Sequence, residues 1–182
     1  NGVGIVSAGT TSESPTIQHV QEKIDLLVVA RAKGKVPVVI GAGTYDTAHS
    51  IELTKRALGN GADMTLHVMG YYNKPGQRGV IDYFDRVALV SPNNAIIMYH
   101  IPGRGAAEYK PEVIASLAVR HPNINALKEA SPNNVEFAIK VRELADQHGI
   151  DFSIMSGDDD KTFRIMAEAR GDGVISVMSN LL

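Results

Sequence analysis

Short apolar runs recur along the chain at nearly even spacing. They are residues 3–9 (VGIVSAG), 36–43 (VPVVIGAG), 63–70 (DMTLHVMG), 95–101 (AIIMYHI), 124–130 (INALKEA), 151–157 (DFSIMSG) and 173–178 (GVISVM). Most are near-continuous, not alternating, which is how strands covered on both faces of a parallel sheet read. Between them the apolar positions shift to a helical period. Ile17, Val20, Ile24, Leu27 and Val28 form one such face. Residues 48–61 form a second, with Gly59 and Gly61 as stop signals. Residues 79–90, 111–119, 133–149 and 160–171 continue the series, with Pro111 where a first helical turn tolerates proline.

Strand and helix therefore alternate with a period of about 30 residues, which predicts an α/β fold with a parallel sheet and right-handed crossovers. Two architectures satisfy this: an open doubly wound sheet and a (β/α)8 TIM barrel. Seven strands and six helices are legible. For a barrel, that leaves one βα unit missing at the front and helical structure missing at the back. The expectation is a single (β/α)8-barrel domain over residues 1–182, as a piece of a longer protein. No linker or low-complexity stretch divides the chain.

Composition narrows the function classes. The 182 residues are 44% hydrophobic and 21% charged, with a net charge of -2 and no long run of either sign. Neither a nucleic-acid face nor an anionic membrane partner is indicated. There is no run of eighteen apolar residues and no opening signal peptide. With no cysteine, disulfides, thiolate metal sites and a thiol nucleophile are all excluded, which fits a reducing, cytoplasmic setting.

The chemistry is signalled by position. Polar residues gather just after the strands: Thr10, Thr11 and Glu13; Tyr71, Tyr72 and Asn73; Tyr99 and Arg104; Lys128 and Glu129; Gly157, Asp158 and Asp159. Ser176 falls in the seventh run. In a barrel those ends converge on one mouth. A lysine is rarely buried unless paired, so Lys128 ending an apolar strand reads, by itself, as the strand emerging into water. Set among the other rim residues it reads differently. In an apolar mouth its ammonium form is disfavoured, and the free amine is a nucleophile for carbonyls. Neighbouring hydroxyls suit proton transfer, and an arginine offers a planar fork to a carboxylate. The inferred substrate is a keto acid.

Plainer roles exist for each of these residues. Tyr99 fits a core tyrosine, Tyr71 and Tyr72 fit interface aromatics, Thr10 and Thr11 fit helix caps, and Arg104 fits a structural ion pair. Asp158, Asp159 and Asp160 read better as a helix N-terminal cluster than as a hard-metal site. Residues 41–46 (GAGTYD) lack the third glycine of a dinucleotide loop. The six histidines show no metal spacing and read as surface or supporting residues. Glu129 points away from Lys128 by strand alternation, as a packing or supporting partner.

In order and spacing these motifs resemble those of the dihydrodipicolinate synthase / N-acetylneuraminate lyase family of pyruvate-dependent lyases. TTSESPT (10–16) resembles the family's TTGESPT, YYNKP (71–75) matches, IMYHIPGR (97–104) resembles LYNVPGR, and LKEAS (127–131) resembles IKEAS. MSGDD and GVISV are similar as well. The resemblance runs from end to end and implies an eight-stranded barrel and a homotetramer. It implies that Lys128 forms a Schiff base with pyruvate and that Tyr99 shuttles protons beside it. Thr10 would link Tyr99 to Tyr72, the latter reaching in from a neighbouring subunit. Thr11 would hold the pyruvate carboxylate and Arg104 that of the second substrate, while Gly157 and Ile175 shape the pocket through backbone groups. No metal or organic cofactor is implied.

The tyrosine pair and the arginine resemble the synthase branch, which condenses pyruvate with aspartate semialdehyde on the route to lysine. The alternatives are another pyruvate aldolase, acting on a sugar acid or an aromatic aldehyde, and a non-catalytic carboxylate-binding barrel. Ser12, His100, Gly105 and Gly70 depart from the family pattern, and the first three are expected beside the substrate. The lysine feedback site of many relatives has Glu, His and Asn where this chain has His49, Glu22 and Tyr45; Ser14 and His19 match. Weak inhibition by lysine is the expectation.

Overall fold

The computed structural model describes residues 3–9, 14–17 and 19–181. Its strands are β1 (Ile5–Ser7), β2 (Val38–Gly41), β3 (Met64–His67), β4 (Ala95–His100), β5 (Ile124–Glu129), β6 (Ser153–Ser156) and β7 (Gly173–Val174). The helices are α1 (Val20–Lys33), α2 (Thr47–Gly59), α3 (Gln77–Leu89), α4 (Pro102–Gly105), α5 (Pro111–Arg120), α6 (Asn134–His148) and α7 (Thr162–Glu168). Two 3-10 turns, Asp159–Lys161 and Met178–Asn180, complete the described elements.

Sheet order decides between the two architectures. The seven strands lie side by side in chain order, and every neighbouring pair is parallel. A doubly wound sheet reverses direction at a switch point. This one never reverses, so each crossover steps the same way and the sheet curls as a barrel wall. The fold is the (β/α)8 TIM barrel, seen here as seven consecutive strands.

The wall separates two apolar layers. Val39, Leu66, Ile97, Tyr99 and Ala126 cluster on the inner face. On the outer face the helices pack against Ile40, Ile96, Met98, Ile124 and Leu127. Each of these larger aliphatic chains contributes on the order of 2 kcal/mol by leaving water. Period-two alternation thus assigns each strand residue a side: Ile97 and Tyr99 inward, Met98 and His100 outward.

Local chemistry sets the helix ends. The Asp46 carboxylate accepts from the amides of Ala48 and His49 at 2.8 and 3.4 Å, starting α2. Pro111 opens α5, as predicted, and Gly149 ends α6 in the left-handed region at φ 64°.

Several expectations need correction. Val28 lies on the exposed side of α1, whose buried stripe is Val20, Lys23, Ile24 and Leu27. The spacing of four from Ile24 admits residue 28, but that position lies about 40° beyond Ile24 round the helix, past the edge of the buried stripe. Gly59 is the last residue of α2; the turn is made by Asn60 and by Gly61, at φ 91°. Ser176 falls beyond β7, which is only two residues long. Finally, α4 is a one-turn helix with no counterpart among the six predicted, begun by Pro102.

Candidate active site at the strand ends

The central feature is one rung of the sheet. Tyr99 and Lys128 are register partners across β4 and β5. That pairing depends on a register shift. Ile96 pairs with Ile124, but Ile97 pairs with Ala126, so β5 holds one extra residue there. Without it Tyr99 would face Leu127. The irregularity re-aims the strand end and sets Lys128 beside Tyr99 on the inner face.

Both side chains are buried, Lys128 at 3% exposure and Tyr99 at 5%. The Lys128 Nζ lies 4.1 Å from the centre of the Tyr99 ring. Desolvation brings the Lys128 amine down from 10.5 to about 8, while the charges of Asp158 and Asp159 pull the other way. Desolvation is the larger effect, so a substantial fraction of the amine is neutral near physiological pH. The plain reading, a strand end running out into water, is thereby excluded.

Gly157 follows β6 and fits against this lysine. A Cβ built there would lie 2.8 Å from the Cβ of Ala130 and 3.0 Å from the Cε of Lys128. Its amide donates to the Glu129 carbonyl at 2.8 Å. Only a residue without a side chain leaves the amine its seat. Ile175 is held similarly by its backbone, its amide donating to the Ser156 carbonyl at 2.9 Å.

Beside the rung lies a cavity of about 310 Å³, lined by Tyr99, Arg104, Tyr71, Val68, Ile101 and Gly105 among others. Lys128 is not in its lining; the amine lies on the ring of Tyr99, which forms part of the wall. Arg104 is exposed on α4, and no described carboxylate pairs with it. A structural ion pair is therefore not its role among the described residues, and its fork is available to a ligand. Gly105 is held in by a close approach to Met69: a Cβ would meet that carbonyl at 3.0 Å.

Tyr71 and Tyr72 part company. Tyr71 is half-buried, edge-on to Tyr45 at 6.0 Å, and burial raises its phenol. It lines the cavity that holds Tyr99. Tyr72 is 99% exposed and lines a second, larger cavity instead. Thr10 and Thr11, with Ser12 and Glu13, lie outside the described residues.

The acidic cluster is structural. The Asp159 carboxylate accepts from the amides of Val177 and Met178 at 3.0 and 3.2 Å. Asp158 accepts from Asn134 at 3.2 Å. A hydrogen bond from Ser176, with those from the two amides, holds the Asp159 carboxyl below the usual carboxylate range.

Three features escaped the sequence reading. The second cavity, about 570 Å³, is lined by Ser14, Tyr45, His49, Tyr71 and Tyr72 among others. Lys23 also lines it, nearly buried, donating to Ser14 Oγ at 3.0 Å and to the Gly41 carbonyl at 3.3 Å. Burial brings its amine down to about 8. The available signal was its spacing, since Lys23 sits in the apolar stripe of α1. Of the histidines, His67 and His100 are buried, not superficial. His67 is held between Tyr83 and Thr65 at 3.1 and 3.0 Å, and burial lowers it to about 3. His100 faces the helix layer and not the substrate side, correcting its expected place beside the ligand. It pairs with Glu129 at 2.7 Å, which gives Glu129 its expected supporting part.

The fold and the cluster at its strand ends define a class, that of (β/α)8 barrels with a buried, desolvated lysine beside a tyrosine at the mouth. The dihydrodipicolinate synthetase family model matches residues 2–182, and the chain belongs to that family. It is 42% identical over 184 residues to the 4-hydroxy-tetrahydrodipicolinate synthase of Methanocaldococcus jannaschii, covering 100% of this chain and 61% of that one. The crystal structure of the dihydrodipicolinate synthase of Thermotoga maritima superimposes with a TM-score of 0.90 at 37% identity, over 99% of this chain and 61% of that chain. The synthase of Acinetobacter baumannii, solved in complex with pyruvate, gives a TM-score of 0.84 at 32% identity, over 97% and 59%. The chain thus spans about three fifths of the length of the relatives it matches.

Proposed function

We propose that the protein is a 4-hydroxy-tetrahydrodipicolinate synthase, condensing pyruvate with L-aspartate 4-semialdehyde in lysine biosynthesis. The observation that carries the reading is the Tyr99–Lys128 rung, with a desolvated amine against a tyrosine ring. Lys128 Nζ attacks the keto carbon of pyruvate, water leaves, and an imine remains. Loss of a methyl proton gives an enamine, whose carbon bonds to the aldehyde carbon of the second substrate. The amino group of that substrate then displaces Lys128 as the ring closes, freeing the enzyme. Tyr99 carries protons to and from the departing oxygen. Thr10 and Tyr72 extend the relay, Thr11 holds the pyruvate carboxylate, and Arg104 clamps the carboxylate of the aldehyde substrate. Amine and hydroxyls suffice for these steps, so no metal or organic cofactor enters them.

Tyr72 is almost fully exposed in the single chain, which suits a residue that acts in a neighbouring subunit. A homotetramer and a cytoplasmic location follow from the same reading. No described helix is long and apolar enough to cross a membrane. The complete protein should be offered pyruvate with a panel of aldehydes: aspartate semialdehyde, sugar aldehydes and aromatic aldehydes. Aspartate semialdehyde should give the highest kcat/KM by at least about 10²-fold, since in this panel it alone offers a carboxylate to the fork of Arg104. Preference for a sugar or aromatic aldehyde would move the protein to another branch.

The second cavity bears on regulation. Tyr45 and His49 line it where many relatives have Asn and Glu, and Lys23 adds an amine to its wall. A cationic ligand finds no described carboxylate but Asp46 there, and that one caps α2. L-lysine should inhibit the complete enzyme only weakly, and a submillimolar inhibition constant would contradict this.

A further inference from the structure

The pair formed by His100 and Glu129 stands immediately behind the Tyr99–Lys128 rung. The two pairs are successive in register across β4 and β5 and point to opposite faces of the wall. His100 Nδ1 and Glu129 Oε2 are 2.7 Å apart, with exposures of 1% and 0%. The other carboxylate oxygen accepts from the Ser131 amide at 2.6 Å, where the chain turns out of β5. The imidazole stacks on Phe137 of α6, with ring centres 4.3 Å apart, and tilts against Tyr109 at 5.2 Å. Its Nε2 is buried without a hydrogen-bond partner among the described residues.

A polar pair in this setting is costly. Two ionisable groups have left water, one ring nitrogen is unsatisfied, and well-packed apolar residues would serve stability as well. What apolar residues would not do is fix the distance and rotation between two strand ends. The pair spans β4 and β5 at that point. One backbone bond adds to it, the Ala130 amide donating to the His100 carbonyl at 2.9 Å, while the Gly157 amide, donating to the Glu129 carbonyl at 2.8 Å, ties β5 to the end of β6.

We propose that His100 and Glu129 are a positioning pair, which holds β4 and β5 so that the Lys128 amine stays seated on the Tyr99 ring in the reactive geometry. This rests on the Schiff-base reading given above. Near-attack geometry is steep in distance, with about 1 Å of misplacement costing on the order of 10²-fold in rate.

The test uses the complete protein and the variants H100N, H100L and H100F/E129L. In H100N an amide donor is kept at the same backbone position. The double variant replaces the pair by apolar side chains of similar bulk and should fold with a melting temperature close to the parent's. Two quantities are read below the melting range: the rate at which pyruvate forms a borohydride-trapped imine, and the rate of competitive acetylation of Lys128, which needs no pyruvate. H100N is expected to stay within about 3-fold of the parent, while H100L and H100F/E129L form imine at least about 10-fold more slowly. Acetylation of Lys128 should shift by at least about 3-fold in the same two variants. Parent-like rates of both kinds in the folded double variant would overturn the proposal, as would equal losses in H100N and H100L. A parent that traps no imine refutes the Schiff-base reading instead; the acetylation rates then still decide the positioning role.

Discussion

Borohydride added with pyruvate is expected to fix one covalent adduct on the protein, at Lys128, and Lys128→Ala or Lys128→Arg should abolish it. Turnover should fall by roughly 10³-fold or more, the scale on which loss of a covalent nucleophile registers. Lys128→Arg is the sharper variant, because it keeps a long cationic chain in the same burial but has no free amine to give. Intact-mass and peptide analysis read the adduct; an adduct that persists in both variants places the chemistry on another residue. Lys23 is the natural control, since burial lowers its amine to about 8 as well. It lies against Ser14 and Gly41, away from Tyr99, and Lys23→Met should leave the pyruvate adduct in place.

The pH dependence follows with a definite sign. Lowering the Lys128 amine to about 8 makes it neutral at lower pH. At pH 7.5 about a quarter of such an amine is unprotonated, against about one part in a thousand at the ordinary value. Imine formation should therefore rise as pH increases through 8 and level off above it. Neutralising Asp158 removes an attraction that favours the ammonium, so Asp158→Asn should move that rise to lower pH.

Much of this was legible in the residues. Apolar runs marked all seven strands, because strands covered on both faces are mostly apolar and bury a polar side chain only where it finds a partner, as Thr65 and His67 do, and their polar ends then stood out. Lys128 was conspicuous for that reason. Glu129 was placed correctly by alternation alone. The same rule applied to His100, one residue after Tyr99, puts it on the helix side; proximity in sequence to a catalytic candidate is a poor guide when side chains alternate. Other features depended on tertiary facts. The register shift that sets Tyr99 opposite Lys128 is a property of two strands together. The larger cavity is assembled from the segments around Ser14, Lys23, Tyr45 and Tyr71, and no one of them announces it. Gly157 is required by the lysine stem packed against it, which only the assembled site reveals.

Tyr99→Phe separates the ring of that residue from its hydroxyl. The Lys128 amine sits over the ring face, 4.1 Å from its centre, and the ring forms part of the cavity wall. Phenylalanine preserves both, so the amine keeps its seat and its desolvation. Imine formation should still be trappable, and the KM for pyruvate should change by no more than about 3-fold, because the interactions that bind the ground state remain. What is lost is a group able to pass protons during dehydration to the imine and during formation of the carbon–carbon bond. Removing one general acid–base group costs about 10²–10⁴-fold, and kcat is expected to fall within that range. Tyr99→Ala should do worse, since it also vacates the volume beneath the amine and admits water, which raises the lysine back toward its ordinary value. Comparing trapping rates with kcat for the two variants distinguishes the roles. A Tyr99→Phe enzyme with parent-like kcat would mean that the protons travel by another route, and that Tyr99 serves Lys128 only as a surface.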